Sequence, residues 1–483
     1  MNEKVYDVVV IGAGPVGQTA VSRCRAADLT VAVVERELVG GECSYWGCVP
    51  SKALLRPVLV LADARRVDGA RQAATGAIDR QAVFGRRDRY VSGWDDSGQA
   101  AGVEAMGADL IRGHGRLDGV RRVAVATPAG DTVALLARHA VLISSGSGAA
   151  IPDLPGVAEV HPWTNRDGTD SSRVPARLAI VGGGGVAVEM ATAWHGLGSA
   201  VALLVRSGVL TGMEPFVGEA VIGGLRESGV DVRTGVGIRR LRRTGESGEV
   251  TIDLDNGDVV EVDEVMFATG RRPLTDDMGL DTVGLAPGSW LETDDTLTVT
   301  GVEGDWLYAA GDANHRALLT HQGKYQARIA AEVIAARARS AAVDVGGWSR
   351  FVATADRFAV PQVFFTDPEV GSVGMTERQA REAGLPVSVV DIEIGEVVMG
   401  ANLYADGYRG RARMVVDDSR GVPVGVTMVG PGIGEMLHSA TIAVAGQVPI
   451  ARLWHAVPCF PTVSELWLRL LEAYRDRREP TAG

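Results

Sequence analysis

The chain has 483 residues, a formal net charge of −12, 46% apolar and 22% charged residues, and a pI near 5.3. That length exceeds one hydrophobic core and predicts two to four domains, while the acidity argues against nucleic acid and anionic membranes as partners. Four cysteines make no disulfide scaffold, no apolar run reaches the roughly 20 residues of a membrane span, and Met-Asn-Glu-Lys leads into a strand without a signal peptide, so the cytoplasm is the expected location.

Residues 5–11 are apolar except for Asp7, the pattern of a buried parallel strand. Gly12-Ala-Gly-Pro-Val-Gly17 follows, then a helical stretch over 18–27 and a second strand over 30–34 that ends at Glu35. Gly12, Gly14 and Gly17 supply the tight turn and close approach that a pyrophosphate at a helix N-terminus needs, and Glu35 is placed to grip a ribose hydroxyl. The next segment is Gly40-Gly-Glu-Cys-Ser-Tyr-Trp-Gly-Cys-Val-Pro-Ser-Lys52, with Gly41 in its double glycine. Directly after a nucleotide unit, and in a chain without an export signal, the close pair Cys43 and Cys48 reads as a redox-active dithiol beside a flavin. Two inert buried thiols are the plain alternative. A metal site is weaker, because the pair supplies two of four ligands and no second Cys/His pair has finger spacing. Only Lys4, Lys52 and Lys324 are lysines, and the other 45 of 48 basic residues are arginine, so a lysine in this segment suggests a need for a compact ammonium.

Residues 55–140 begin with helical patterning, pass an irregular stretch over 86–99 and end in strands. Ser144-Ser-Gly-Ser147 and Pro152-Asp-Leu-Pro-Gly156 mark a crossing between domains, and Ala268-Thr-Gly270-Arg-Arg-Pro273 marks the return. Between them the nucleotide pattern recurs: a strand over 178–181, Gly182-Gly-Gly-Gly-Val-Ala187, a helix over 188–197 and a strand over 200–205. Gly182, Gly184 and Ala187 hold the fingerprint positions, alanine being an allowed third member. The place of Glu35 is taken here by Val205, followed by Arg206. Valine cannot accept from a ribose 2′-hydroxyl, whereas arginine pairs with a 2′-phosphate, so the second unit is expected to prefer NADPH over NADH. A solvated surface arginine is the alternative. Residues 307–312 read as a buried strand running through Gly311 to Asp312, an acid placed to bind a polyol hydroxyl. Thr320 then opens a helical run to 337, and from 346 strands and helices alternate without a further glycine fingerprint, as in a separate α+β domain.

These motifs together resemble the class I pyridine nucleotide–disulfide oxidoreductases: glutathione reductase, dihydrolipoamide dehydrogenase and mercuric reductase. The resemblance covers the flavin turn, the dithiol segment, the second turn with Glu189, Ala268-Thr-Gly270 and Gly311-Asp312. It continues through Pro361-Gln-Val-Phe-Phe-Thr-Asp-Pro-Glu369, Ser372-Val-Gly-Met-Thr-Glu377 and Pro461-Thr-Val-Ser-Glu465. The wording Gly-Glu-Cys-Ser-Tyr-Trp and Val-Pro-Cys-Phe-Pro-Thr looks like a poorly characterised bacterial branch. The implied fold is α/β, with two Rossmann-like nucleotide-binding domains, for FAD and NAD(P), plus a C-terminal α+β dimerisation domain. The expected boundaries are 1–150 and 273–345 for the two parts of the FAD domain, 151–272 for the NAD(P) domain and 346–483 for the dimerisation domain. A homodimer is implied, with each active site completed by the other copy's C-terminal domain.

The resemblance further implies that electrons from NADPH open a Cys43–Cys48 disulfide through the flavin. Cys48 would be the flavin-side thiolate and Cys43 the thiol that meets substrate. Lys52 would lie near the flavin and pair with Glu189, and Glu465 would belong to the catalytic set. Gly41, Gly270, Gly311, Asp312 and Thr320 would contact cofactor, with the positive end of the Thr320 helix facing the flavin. His321 reads as a capping or surface residue.

Several positions depart from the family. In the disulfide reductases the C-terminal motif carries an acid/base histidine; here that position is Phe460, which holds no proton. Such help is worth roughly 100- to 10,000-fold, so efficient glutathione- or lipoamide-type turnover is not expected. His455 reads as a satisfied structural histidine. Mercuric reductase has a tyrosine there and a C-terminal cysteine pair, whereas this sequence finishes Arg-Glu-Pro-Thr-Ala-Gly. Cys459 reads as a buried inert cysteine, with an approach to Cys43 of a second copy as the sharper alternative. Gly185 replaces a tyrosine that in relatives covers the flavin, and is expected to leave that face open to oxygen or quinone. The expected function is therefore an FAD-dependent NAD(P)H oxidoreductase passing electrons to a small-molecule disulfide, quinone or other electrophile. A dihydrolipoamide dehydrogenase or low-molecular-weight disulfide reductase, and a noncatalytic flavoprotein subunit, are the alternatives.

Overall fold

The computed structural model describes residues 3–245 and 248–478. The Met1-Asn2 start, the outer limits of the first and last expected domains and the tail after Arg478 lie outside the described residues. The chain divides into two compact units, Met1–Pro50 with Arg87–Ala149 and Arg271–Asp356, and Ser51–Arg86 with Ala150–Gly270 and Arg357–Gly483.

The first unit is built on a seven-stranded sheet. Lys4–Ile11 lies at its centre, parallel to Val31–Glu35 on one side and to Thr132–Ile143 on the other, with Val10 opposite Val33 and Leu142. Asp109–Arg112 extends the sheet beyond Val31–Glu35, and Leu307–Ala309 adds in parallel to Thr132–Ile143. His114–Leu117 and Arg122–Ala126 form an antiparallel extension. Because successive side chains alternate between faces, Val8 and Val10 enter one core and Val9 and Ile11 another. Burial on both faces explains the unbroken apolar run. Helices Pro15–Ala26 and Thr320–Ala338 pack together on the Val8/Val10 side. The first helix begins at Pro15 rather than at 18, as suits a proline in the first helical turn. Where the chain leaves and re-enters this unit, Ser147–Ala149 and Arg271–Pro273 form a two-stranded antiparallel ribbon.

The stretch over 86–99, expected to be irregular, is mostly helical: Arg80–Tyr90 and Ser97–Ala105 flank a short turn, Ser92–Trp94. Arg87 misleads a composition-based reading. Its side chain is 1% exposed, paired with Asp88 and laid over the Trp94 ring at 5.3 Å, so a charge marks a buried position.

In the second unit Asp231–Thr234, Ala200–Val205, Arg177–Val181 and Glu264–Phe267 form a parallel four-stranded sheet. Leu178, Ile180, Val201 and Leu203 pack around Trp194, while Ala179, Ala202 and Leu204 enter the opposite core. Trp194 is fully buried and its indole N–H donates to Gly168 O at 3.2 Å, as a buried indole requires. The helix after the second glycine turn runs Gly185–Gly196, three residues ahead of the expected start. An antiparallel three-stranded sheet joins Ile238–Arg243, Val250–Leu254 and Val259–Val262. The C-terminal part is a five-stranded antiparallel sheet in the order Pro361–Phe364, Val370–Gly374, Val422–Val429, Arg411–Asp417, Val387–Glu393, with helices Ile433–Ala445 and Leu466–Arg478. Among the described residues no helix is long and apolar enough to cross a membrane.

Candidate functional site

In the first unit the dithiol segment folds as a short helix, Gly41–Tyr45, followed by Trp46-Gly47 and a helix that opens on Cys48. A Cβ at Gly47 would stand 3.3 Å from Cys43 Cα, so glycine lets the turn close on that residue. Cys43 and Cys48 each carry a thiol. Cys43 hydrogen-bonds to the Cys48 side chain, and this bond, with burial and the nearby Cys48 charge, holds the Cys43 thiol far above the ordinary thiol range. Cys48 Sγ also lies 3.3 Å from the hydroxyl of Thr320, the first residue of helix Thr320–Ala338. The two sulfurs thus share one hydrogen bond beside the Thr320 hydroxyl, and Cys48 stands at the start of its own helix, a position that favours a thiolate.

The same unit holds the first glycine turn. Gly12 adopts φ 102°, and a Cβ there would meet Ser144 O at 2.4 Å. A Cβ at Gly17 would lie 1.9 Å from Gly12 O, whereas nothing approaches Gly14 within 4 Å, which leaves space over the turn. Gly40 N–H donates to Ala13 O at 2.9 Å and sets Gly41 against Gly14. Glu35 is buried, and each of its oxygens takes one backbone bond, Oε2 from Ala13 N–H and Oε1 from Glu37 N–H, both at 2.8 Å. A carboxylate has roughly four acceptor sites, so capacity for a ribose diol remains. At the far end Asp312 accepts from Ser147 Oγ at 2.5 Å, and its carboxyl is pushed above the usual range by desolvation. Arg271 donates to Ser147 Oγ at 2.9 Å and Ser147 O at 2.6 Å and lies 3.5 Å from Glu42, the neighbour of Cys43. Gly311 N–H is held by Gln326 Oε1 at 2.7 Å. An open glycine turn and an acid with acceptor sites left at one end, and a buried acid at the other, fit an adenine dinucleotide with a polyol chain.

In the second unit Gly182 takes φ 137°, with its missing Cβ 2.3 Å from Ala268 O. Gly184 is open, and Ala187 is fully buried in the third position. Residues Gly183 to Gly185, Gly208, Thr211 and Phe364 are among those lining a cavity of about 350 Å³ at the start of helix Gly185–Gly196. Val205 is buried and Arg206, next along, is exposed. Gly270 has φ 132° with nothing near its Cβ position, and its carbonyl accepts Ala150 N–H at 3.0 Å. Lys52 Nζ donates to Glu189 Oε2 at 2.7 Å, although 137 residues separate them. At Gly185 a Cβ would be 2.6 Å from the Phe364 ring, so that ring fills the space next to the glycine.

The C-terminal motif is also in this unit. Phe460 is 73% exposed and Cys459 is exposed, not buried as expected. His455 is exposed. Thr462 Oγ1 donates to Cys459 O at 2.7 Å. Glu465 is buried, and its Oε2 has no hydrogen-bond partner among the described residues. Phe364, Phe365, Ser147, Arg271 and Glu42 were missed as site residues. Phe364 and Phe365 stand in the quoted 361–369 motif, and Ser147 and Arg271 in the two domain crossings, but none carries a sequence signal of its contacts.

The family model for pyridine nucleotide-disulphide oxidoreductases matches residues 6–333, and that for the dimerisation domain of the same family matches 360–470. A mercuric reductase of Staphylococcus aureus is 30% identical over 466 residues, covering 95% of this chain and 81% of that protein. A dihydrolipoyl dehydrogenase of Chlamydia muridarum is 28% identical, covering 97% and 96%. The copper(II) complex of the HOCl-induced flavoprotein disulfide reductase RclA from Escherichia coli superimposes with a TM-score of 0.80 at 22% identity, over 98% of this chain and 99% of that one.

Proposed function

The chain belongs to the pyridine nucleotide-disulphide oxidoreductase family, and from that premise we propose that it oxidises NADPH, cycles Cys43 and Cys48 between disulfide and dithiol, and reduces a small electrophilic acceptor such as a quinone or a small-molecule disulfide. The family is FAD-dependent and uses NAD(P)H. When bound, FAD supplies the means to accept a hydride equivalent and to release electrons to a sulfur pair. Gly12, Gly14, Gly17, Glu35, Gly41, Gly311, Asp312 and Thr320 are the residues assigned to hold it.

The net chemistry balances in two steps. NADPH, a proton and the Cys43–Cys48 disulfide give NADP⁺ and two thiols. The dithiol then returns to the disulfide as a quinone takes two electrons and two protons, or as an external disulfide becomes two thiols. The observation that carries this reading is the Cys43–Cys48 hydrogen bond. The two thiols lie within hydrogen-bond reach of each other, as a pair that closes to a disulfide must, and Cys48 sits at a helix start against Thr320. Lys52, one helical turn beyond Cys48 and fixed by Glu189, supplies a positive charge. Arg206 favours NADPH. Glu465 is assigned to the catalytic set, but the exposed Phe460, five residues before it, moves no proton, which favours acceptors that need no protein acid.

We further assign residues 1–150 and 273–345 to FAD, 151–272 to NAD(P) and 346–483 to dimerisation. A homodimer is supported by the match to the dimerisation domain and by the exposed Met399, Leu403, Ile442, Val457 and Phe460 on that part of the chain. The cytoplasm is the proposed location. An anaerobic NADPH titration tests the central reading. A long-wavelength thiolate–flavin band after two electrons, lost in Cys48→Ser, is expected; bleaching that is identical in Cys43→Ser and Cys48→Ser would show that the sulfurs take no part. An acceptor panel of quinones, lipoamide, glutathione disulfide and metal ions then identifies the substrate class.

A further inference from the structure

Phe364 ends the strand Pro361–Phe364 and pairs there with Val370. The next residue is anchored twice: Phe365 N–H donates to Glu189 Oε1 at 3.0 Å, and its ring lies 5.0 Å from Lys52 Nζ. The backbone on both sides of Phe364 is thus anchored, and rotation about its side-chain bonds is the movement open to its ring without breaking those contacts. That ring rests on Gly185, the first residue of helix Gly185–Gly196. A Cβ at 185 would lie 2.6 Å from Phe364 Cε1 and 2.7 Å from Cδ1, so the ring fits only because residue 185 is glycine.

The helix start is where backbone N–H groups receive a pyrophosphate, and Phe364 lines the same cavity as Gly183, Gly184 and Gly185. At about 350 Å³ that cavity is at the small end of the range for ligand sites, and a pyridine dinucleotide is a large ligand. We propose that the Phe364 ring occupies part of the dinucleotide's own place and must turn aside before NADPH enters, so that Phe364 sets the rate of cofactor association and, through it, the affinity. The inference rests on reading this cavity as the nicotinamide nucleotide site.

A ring that competes only in the free protein lowers the competent fraction and so weakens the apparent affinity by that fraction. Removing it raises kon and leaves koff unchanged, whereas a ring that stacks on bound cofactor would, once removed, raise koff. The experiment uses the FAD-loaded protein and oxidised NADP⁺, which permits no turnover, with calorimetry for Kd and stopped-flow fluorescence for the two rates. Phe364→Val, compatible with a strand end, is expected to bind about three- to tenfold more tightly through kon alone. Phe364→Leu carries the same expected direction should the valine variant fail to fold. An unchanged Kd, or weaker binding through koff, would overturn the inference while leaving the nucleotide reading intact. Wild-type protein that binds neither NADP⁺ nor NADPH would overturn both.

Discussion

Glu189 clamps Lys52 from the side while being clamped itself: Oε2 accepts from the Lys52 ammonium at 2.7 Å and Oε1 from the Phe365 amide at 3.0 Å. The Glu189 side chain is 8% exposed and that of Lys52 37%, so the acid is the fixed member and the lysine follows it. Glu189→Ala is expected to slow NADPH-driven flavin reduction by about 100-fold, the scale of a misplaced group, and to cost about 1–2 kcal/mol in stability. Glu189→Gln keeps one acceptor oxygen, sets an NH2 against the other donor and loses the charge, so it should fall between wild type and Glu189→Ala. Stopped-flow absorbance at the flavin band reads the rate; a Glu189→Ala rate within threefold of wild type would refute a positioning role.

The Cys43 thiol has a clear consequence for pH. Its folded pKa is raised by the bond to Cys48, then by burial and the Cys48 charge, whereas an unfolded thiol ionises near 8.5. Below that value both states are protonated and nothing is lost. Above it the unfolded chain gives up the proton and the folded chain keeps it, so the reduced protein loses up to about 1.4 kcal/mol per pH unit. The disulfide form has no such proton. Urea unfolding of reduced and oxidised protein at pH 7.5 and pH 10 checks this: the gap between the two forms should shift against the reduced one at pH 10, and a constant gap contradicts it.

The two glycine turns should respond differently to a methyl group. At position 17 it would meet Gly12 O at 1.9 Å, while position 187 already carries a fully buried methyl. Gly17→Ala is therefore expected to cost about 1–3 kcal/mol and to lower the FAD recovered with the protein, whereas Ala187→Gly retains nucleotide binding. The absorbance ratio of flavin to protein and a thermal melt measure both effects, and full flavin occupancy in Gly17→Ala would rule out the assignment of this turn.

Arg206 follows the buried Val205 and is exposed, so its guanidinium is free to meet a 2′-phosphate at little cost to the fold. Arg206→Leu should reduce kcat/KM for NADPH by about tenfold, in line with a charge-assisted phosphate contact of about 1.5 kcal/mol, and leave the value for NADH within twofold. Equal losses with both cofactors would remove Arg206 from the discrimination.

The nucleotide framework was legible in the sequence because its signals are local: glycines, flanking apolar runs and Glu35 lie within a few tens of residues. Helix starts were less so. Glycine and proline read as breakers, yet Gly185 and Pro15 each open a helix. The helix Arg80–Tyr90 was hidden because its buried side is marked by Arg87, whose charge is neutralised locally by Asp88. The contacts of Phe364 with Gly185 and of Arg271 with Ser147 depend on pairings more than a hundred residues apart. No periodicity encodes them, and Lys52 with Glu189 was reached through resemblance alone.

The ribbon formed by Ser147–Ala149 and Arg271–Pro273 puts Ala149 directly opposite Arg271, and partners across such a ladder stand only about 5 Å apart. Exit and return of the polypeptide therefore share one doorway, so everything encoded between them is a cassette whose two ends match a short linker. An exchanged cassette would still have to bring an acid to the place of Glu189 for Lys52, and apolar side chains to meet Leu54, Leu55 and Phe84, so a lineage could change electron donors only while keeping those few matching points.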